Sequence, residues 1–86
     1  MQTRMAMIAL TLYSRPECPL CDDMKEVVVP IAHELGCSVE HVDISGDAAL
    51  EARLGSELPV LFVNGRKAFK YRVTRSELRR RLRAER

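Results

Sequence analysis

Long apolar runs are missing from this sequence of 86 residues. The N-terminal run from Met5 to Leu12 falls well short of the roughly 20 apolar residues that a membrane-spanning helix needs. It follows Arg4, as the core of a signal peptide would. However, it has no small-residue cleavage pattern and leads straight into Ser14-Arg15-Pro16, so no leader is expected. An excess of one charge is missing too. Fourteen Lys and Arg against twelve Asp and Glu leave a net charge of +2, too little to imply a polyanionic partner. Repeats, low-complexity segments and linkers are absent, and a single domain covering residues 1–86 is expected. Cysteine is scarce as well. There are three, whereas small secreted domains stapled by disulfides carry even sets of about four to eight. A disulfide scaffold is thereby excluded, and a cytoplasmic location, where structural disulfides are rare, fits better.

What is present is ordinary globular composition, 47% hydrophobic and 30% charged, which argues against disorder. Met7 to Tyr13 reads as a buried strand, with Ile8, Leu10 and Leu12 on one face. From Leu20, apolar residues recur at Met24, Val27, Val28, Ile31 and Leu35, a single helical stripe. Pro19 suits the first helical turn and Gly36 the terminus. Pro30 falls inside this helix and predicts a kink near Glu26. Val39 to Ile44 is a second strand. Ser45-Gly46-Asp47 supplies a turn and cap for a short helix, Ala48 to Leu54, that stops at Gly55. Val60 to Val63 is a third strand, and Asn64-Gly65 marks a type I′ hairpin. A fourth, edge strand follows, with Phe69, Tyr71 and Val73 alternating against Ala68, Lys70 and Arg72. Thr74 to Glu77 spells a capping box, Val73 and Leu78 a hydrophobic staple, and Leu78 with Leu82 the buried stripe of a last helix. The order β-α-β-α-β-β-α predicts an α/β fold, a four-stranded mixed sheet flanked by helices, whose first two strands run parallel.

This order puts Cys18 where the first strand ends and the first helix begins. Backbone N–H groups at a helix start are unpaired, and with the helix dipole they favour an anion by roughly 0.3–1 kcal/mol. Arg15 adds a positive charge three residues earlier. Both lower the Cys18 thiol below its usual range, and the thiolate is the nucleophile. Glu17, Asp22 and Asp23 oppose the shift, so it should not be extreme. Cys21 lies about one helical turn on, on the same side and pointing back into the protein. An exposed attacking thiol and a shielded resolving thiol are what two-step disulfide exchange requires.

The sequence resembles the thioredoxin fold and, more closely, a glutaredoxin. A strand leads into Arg15-Pro16-Glu17-Cys18-Pro19-Leu20-Cys21, near the family's C-P-Y-C site, with Leu20 in place of the aromatic residue. Arg15 fills a position that is commonly basic in glutaredoxins. Leu58-Pro59 matches the family's X-Pro, whose peptide is cis and lies beside the cysteines, and Asn64-Gly65 matches its hairpin. The likeness runs from Ile8 to Leu82 and is strongest to small bacterial glutaredoxin-like proteins. It implies a thiol–disulfide oxidoreductase with Cys18 as nucleophile and Cys21 as resolving thiol. Arg15, Pro19, Leu20, Leu58 and Pro59 would border the substrate. The chain departs from the family after the hairpin. Phe69-Lys70-Tyr71-Arg72-Val73 stands where glutaredoxins carry a Gly-Gly pair and an acidic residue that hold glutathione. No tightly bound cofactor is therefore expected, and glutathione is left as a co-substrate with an incomplete binding motif. The partner would be a disulfide-containing protein or a member of the glutathione or thioredoxin system, and the protein is expected to be a monomer.

Three other readings compete. Cys18 and Cys21 with His33 and Cys37 resemble finger-like metal-ligand spacing. A continuous helix would hold its two ends roughly 20 Å apart, so that reading requires Pro30 to break the helix. A binding module on the same scaffold, carrying an iron–sulfur cluster or docking a partner without turnover, is the alternative to an enzyme. The basic tail, with Arg79, Arg80, Arg81, Arg83 and Arg86, is read as the solvated face of the last helix, its cations favourably placed at the C-terminus, rather than as a nucleic-acid surface.

Overall fold

The computed structural model describes residues 7–85; Arg4, Met5 and Arg86, which entered the readings of the N-terminal run and the basic tail, lie outside the described residues. The elements run β1 (Ala9–Ser14), α1 (Pro19–Leu35), β2 (Ser38–Asp43), α2 (Ala48–Leu54), β3 (Val60–Val63), β4 (Arg66–Lys70) and α3 (Arg75–Arg83). The sheet order is β2-β1-β3-β4. β1 pairs parallel with β2 and antiparallel with β3, and β3 pairs antiparallel with β4. The β-α-β-α-β-β-α order and the mixed four-stranded sheet agree with the sequence reading. Among the described residues no helix is long and apolar enough to cross a membrane.

Side chains alternate across a strand, so each central strand feeds two cores. On one face Leu10, Leu12, Leu61 and Val63 meet Met24, Val28 and Ile31 of α1 and Leu78 and Leu82 of α3. On the other face Val60 joins Ile44, Leu58 and Leu54 of α2, with Tyr13 and Phe62 packed against them. The Tyr13 and Phe62 rings meet edge to face at 5.2 Å. Cys21 belongs to this second cluster although it sits on α1. The start of α1 therefore closes the end of the α2-side core.

The helix signals act as their chemistry requires. Pro19 opens α1, and Gly36 closes it in the left-handed region at φ 74°. α1 runs unbroken from Pro19 to Leu35, with Pro30 inside it. The capping box of α3 is complete: Thr74 accepts from the Glu77 N–H at 3.1 Å, and Glu77 accepts from the Thr74 N–H at 2.9 Å. In the hairpin, Asn64 and Gly65 take φ of 49° and 83°. The Asn64 side chain also accepts from the Ala9 N–H at 2.8 Å and donates to Glu85, joining the hairpin to β1 and to the end of α3.

The fourth strand is shorter than the alternation predicted. It ends at Lys70, and Tyr71 leaves it at φ 71°. A bulge also interrupts the alternation inside the strand. Leu61 pairs with Phe69 and Phe62 with Lys67, so Ala68 is an extra residue and the two-residue alternation breaks there. Ala68 and Phe69 consequently both pack against the same core. Val73 does reach that core, but from the loop ahead of α3.

Candidate active site

Cys18 is the N-cap of α1, in extended geometry at φ −126° and ψ 101°. Its Sγ accepts a hydrogen bond from the Cys21 N–H at 3.1 Å, so one of the orphan donors of the helix start points at sulfur. An N-cap is ordinarily Ser, Thr, Asp or Asn. Sulfur in that position receives the same N–H and dipole that would stabilise a thiolate there. Pro19, at N1, forfeits nothing by lacking a donor.

Cys18 and Cys21 are joined as a disulfide, their Cα atoms 5.2 Å apart. They differ in access. Cys21 is 3% exposed, within the α2-side core, while Cys18 is half-buried at its margin. The carbonyl of Cys18 accepts from the Asp22 N–H at 3.0 Å, which seats the first helical turn. The acidic residues Glu17, Asp22 and Asp23 are all exposed around this turn. Glu17, just before Cys18, takes the left-handed region at φ 56°. That conformation is uncommon for a residue other than glycine.

The second wall of the site is the segment before β3. Leu58-Pro59 is cis, as the resemblance implied, and both residues are buried. Leu58 shares the cluster that holds Cys21. Tyr71 holds this segment at both levels of the chain. Its N–H donates to the Pro59 carbonyl at 2.8 Å, and its hydroxyl donates to the Ser56 carbonyl at 3.0 Å. Lys67 donates to Glu57 at 2.6 Å, and that bond holds the Glu57 carboxyl below its ordinary range.

Arg15, expected beside the thiolate and at the border of the substrate, lies in the β1–α1 loop. Its guanidinium donates to Glu51 Oε1 at 2.8 Å and to the Gly55 carbonyl at 3.4 Å, so it is engaged with the end of α2. Leu20 is half-buried in the first turn of α1, and Pro19 beside it is exposed. The unbroken α1 keeps Cys18 and Cys21 at one end and His33 and Cys37 at the other, so the finger-like metal set is not brought together. The two residues that accept from Arg15, Glu51 and Gly55, carried no signal of that contact in the sequence. Gly55 read simply as the stop of the second helix, and nothing linked Glu51 to a side chain 36 positions away.

The Glutaredoxin-like domain (DUF836) family matches residues 9–83. The chain belongs to this family. It is similar to target protein XcR50 from X. campestris, with 37% identity, a TM-score of 0.73, and coverage of 87% of this chain and 96% of that one. It is also similar to protein Ne2328 from Nitrosomonas europaea, at 20% identity and a TM-score of 0.76, covering 94% of this chain and 98% of that one. A thioredoxin from Fasciola hepatica shares the fold at 15% identity, with a TM-score of 0.63 over 93% of this chain and 82% of that one. The glutaredoxin-like fold thus frames a C-x-x-C pair already at bonding distance, a geometry consistent with redox chemistry.

Proposed function

We propose that this protein is a thiol–disulfide oxidoreductase in which Cys18 attacks and Cys21 resolves. The observation that carries the reading is the Cys18 Sγ capping α1 while bonded to a more deeply buried Cys21. In the reduced protein the Cys18 thiolate attacks one sulfur of a substrate disulfide. A mixed disulfide forms, and the first substrate sulfur leaves as a thiolate that takes a proton. The Cys21 thiol loses its proton and attacks Cys18 Sγ, which releases the second substrate sulfur as a thiol. Two electrons have passed to the substrate, and the Cys18–Cys21 disulfide remains. The substrates are disulfides of proteins or small thiols, with a glutathione- or thioredoxin-system partner restoring the dithiol, and the protein acts as a monomer with no tightly bound cofactor. Pro19, Leu20, Leu58 and Pro59 border the groove.

The test is reduction of hydroxyethyl disulfide or insulin by the wild type and by Cys18→Ser. The substitution should reduce activity to background, and unchanged turnover would reject the mechanism. Cys21→Ser should accumulate mixed disulfides at Cys18.

A further inference from the structure

Resting on this reading of Cys18, we infer that Arg15, Glu51 and Gly55 form a positioning clamp: by fastening the β1–α1 loop to the end of α2, they hold Cys18 Sγ on the Cys21 N–H in the first turn of α1. Three observations converge on it. Arg15 reaches two acceptors that belong to one helix end, the Glu51 carboxylate at 2.8 Å and the Gly55 carbonyl at 3.4 Å. A cation is well placed at such a C-terminus, so the guanidinium is held by charge as well as by hydrogen bonding.

Gly55 is needed here for its lack of a side chain, since its φ of −57° is open to any residue. A Cβ at this position would stand 2.5 Å from the Glu51 carbonyl oxygen, 2.8 Å from Glu51 Oε1 and 3.4 Å from Arg15 Nη2. Residue 55 is thus kept empty at the spot where the other two members of the clamp meet.

The third observation is Glu17, left-handed at φ 56°, between the clamp and the sulfur. A residue in such a conformation persists only where its surroundings over-determine it. The Cys21 N–H to Cys18 Sγ contact fixes the loop on one side of Glu17. The Arg15 contacts with α2 fix it on the other. Released from α2, Glu17 can relax to negative φ and swing Cys18 away from the helix start, and the thiolate then loses its donor. Arg15 and Glu51 have side chains 39% and 41% exposed, so the pair adds little to overall stability. Its effect is on the placement of one sulfur.

Charge and positioning predict opposite signs, which makes the inference testable. Glu51→Gln removes a negative charge, so simple electrostatics would lower the titration midpoint of reduced Cys18, as would an Arg15 freed to approach the sulfur. Loss of the clamp raises it. Gly55→Ala changes no charge, so electrostatics predicts no shift, and loss of the clamp again raises the midpoint. The measurement is the pH dependence of iodoacetamide alkylation of the fully reduced full-length protein, followed by peptide mass so that Cys18 is read apart from Cys21 and Cys37. Both variants should move the midpoint upward and lower the thiolate fraction at neutral pH about two- to threefold, the loss of roughly half a pKa unit. Arg15→Lys, which keeps the charge but is one atom shorter than the arm that carries Nη2, the single nitrogen serving both acceptors, should move it the same way. A downward or absent shift in Glu51→Gln overturns the clamp, and this exposed substitution decides the matter even if Gly55→Ala folds poorly. If the wild type itself shows no rapid Cys18 alkylation and no disulfide reduction, the oxidoreductase reading has failed. If the wild type reacts and the variants match it, the clamp alone has failed.

Discussion

Glu34 and Arg79 lie 45 positions apart, yet their side chains meet in a two-pronged pair at 2.8 and 3.0 Å that joins α1 to α3. The hydrogen bonds from Arg79, followed by its charge, hold the Glu34 carboxyl below its ordinary value of 4.5. The folded state therefore prefers the ionised carboxyl more than the unfolded state does. The stabilisation is fully present above pH 4.5 and is lost as pH falls through the lower, folded value. Arg79→Gln should accordingly be less stable than the wild type at pH 7, by a small margin because the pair is exposed, and the gap should shrink toward pH 3. Urea unfolding at the two pH values checks this, and a gap that widened in acid would contradict the assignment. Asp43 is another lowered carboxyl, held by the Ser45 N–H at 2.9 Å in the turn after β2.

Among the elements, α1 carries the site at its first turn and an internal proline later on. Pro30 cannot donate to the preceding turn, and an interior proline typically costs a helix about 3 kcal/mol. The side chain is exposed, so alanine at this position removes little packing. Pro30→Ala restores the missing N–H and should stabilise the protein by about 2 kcal/mol, once the greater freedom of the unfolded chain is subtracted. A rise in the urea midpoint with unaltered Cys18 alkylation is the expected result. A fall would mean that the helix depends on the proline. α3 has no such conflict, because its capping box, buried Leu78 and Leu82 and C-terminal arginines all favour one helix in one register.

Across the whole molecule, the sheet separates a larger core under α1 and α3 from a smaller one under α2, and Cys18 and Cys21 belong with the smaller one. Stability and chemistry can therefore be perturbed separately. Leu78 is fully buried in the larger core. Leu78→Ala should cost about 2–5 kcal/mol, a large fraction of a small domain's stability. Where the variant remains folded, the pH dependence of Cys18 alkylation should match the wild type. A shifted titration would show that the two cores are mechanically coupled through the sheet.

The helices, the first three strands and the place of the two thiols were legible along the chain, because those features are written in local rules. The helical stripe from Leu20 to Leu35, the capping box at Thr74 and the Asn64-Gly65 turn each act within a few residues of themselves, and Cys18 at a strand-to-helix junction follows from counting along the chain. The tertiary structure alone decided where the long side chains reach and how the edge strand is registered. Arg15 is three residues from Cys18 in sequence, but it has enough reach to choose a partner 36 positions away, and nothing local sets that choice. The bulge at Ala68 likewise depends on how β4 lies against β3, and it turned Ala68 and Phe69 to one core where the residues themselves alternate, while Tyr71 at φ 71° ended the strand short of Val73. Periodicity and capping depend on neighbours along the chain, whereas the direction of a guanidinium and the register of an edge strand depend on neighbours that only folding supplies.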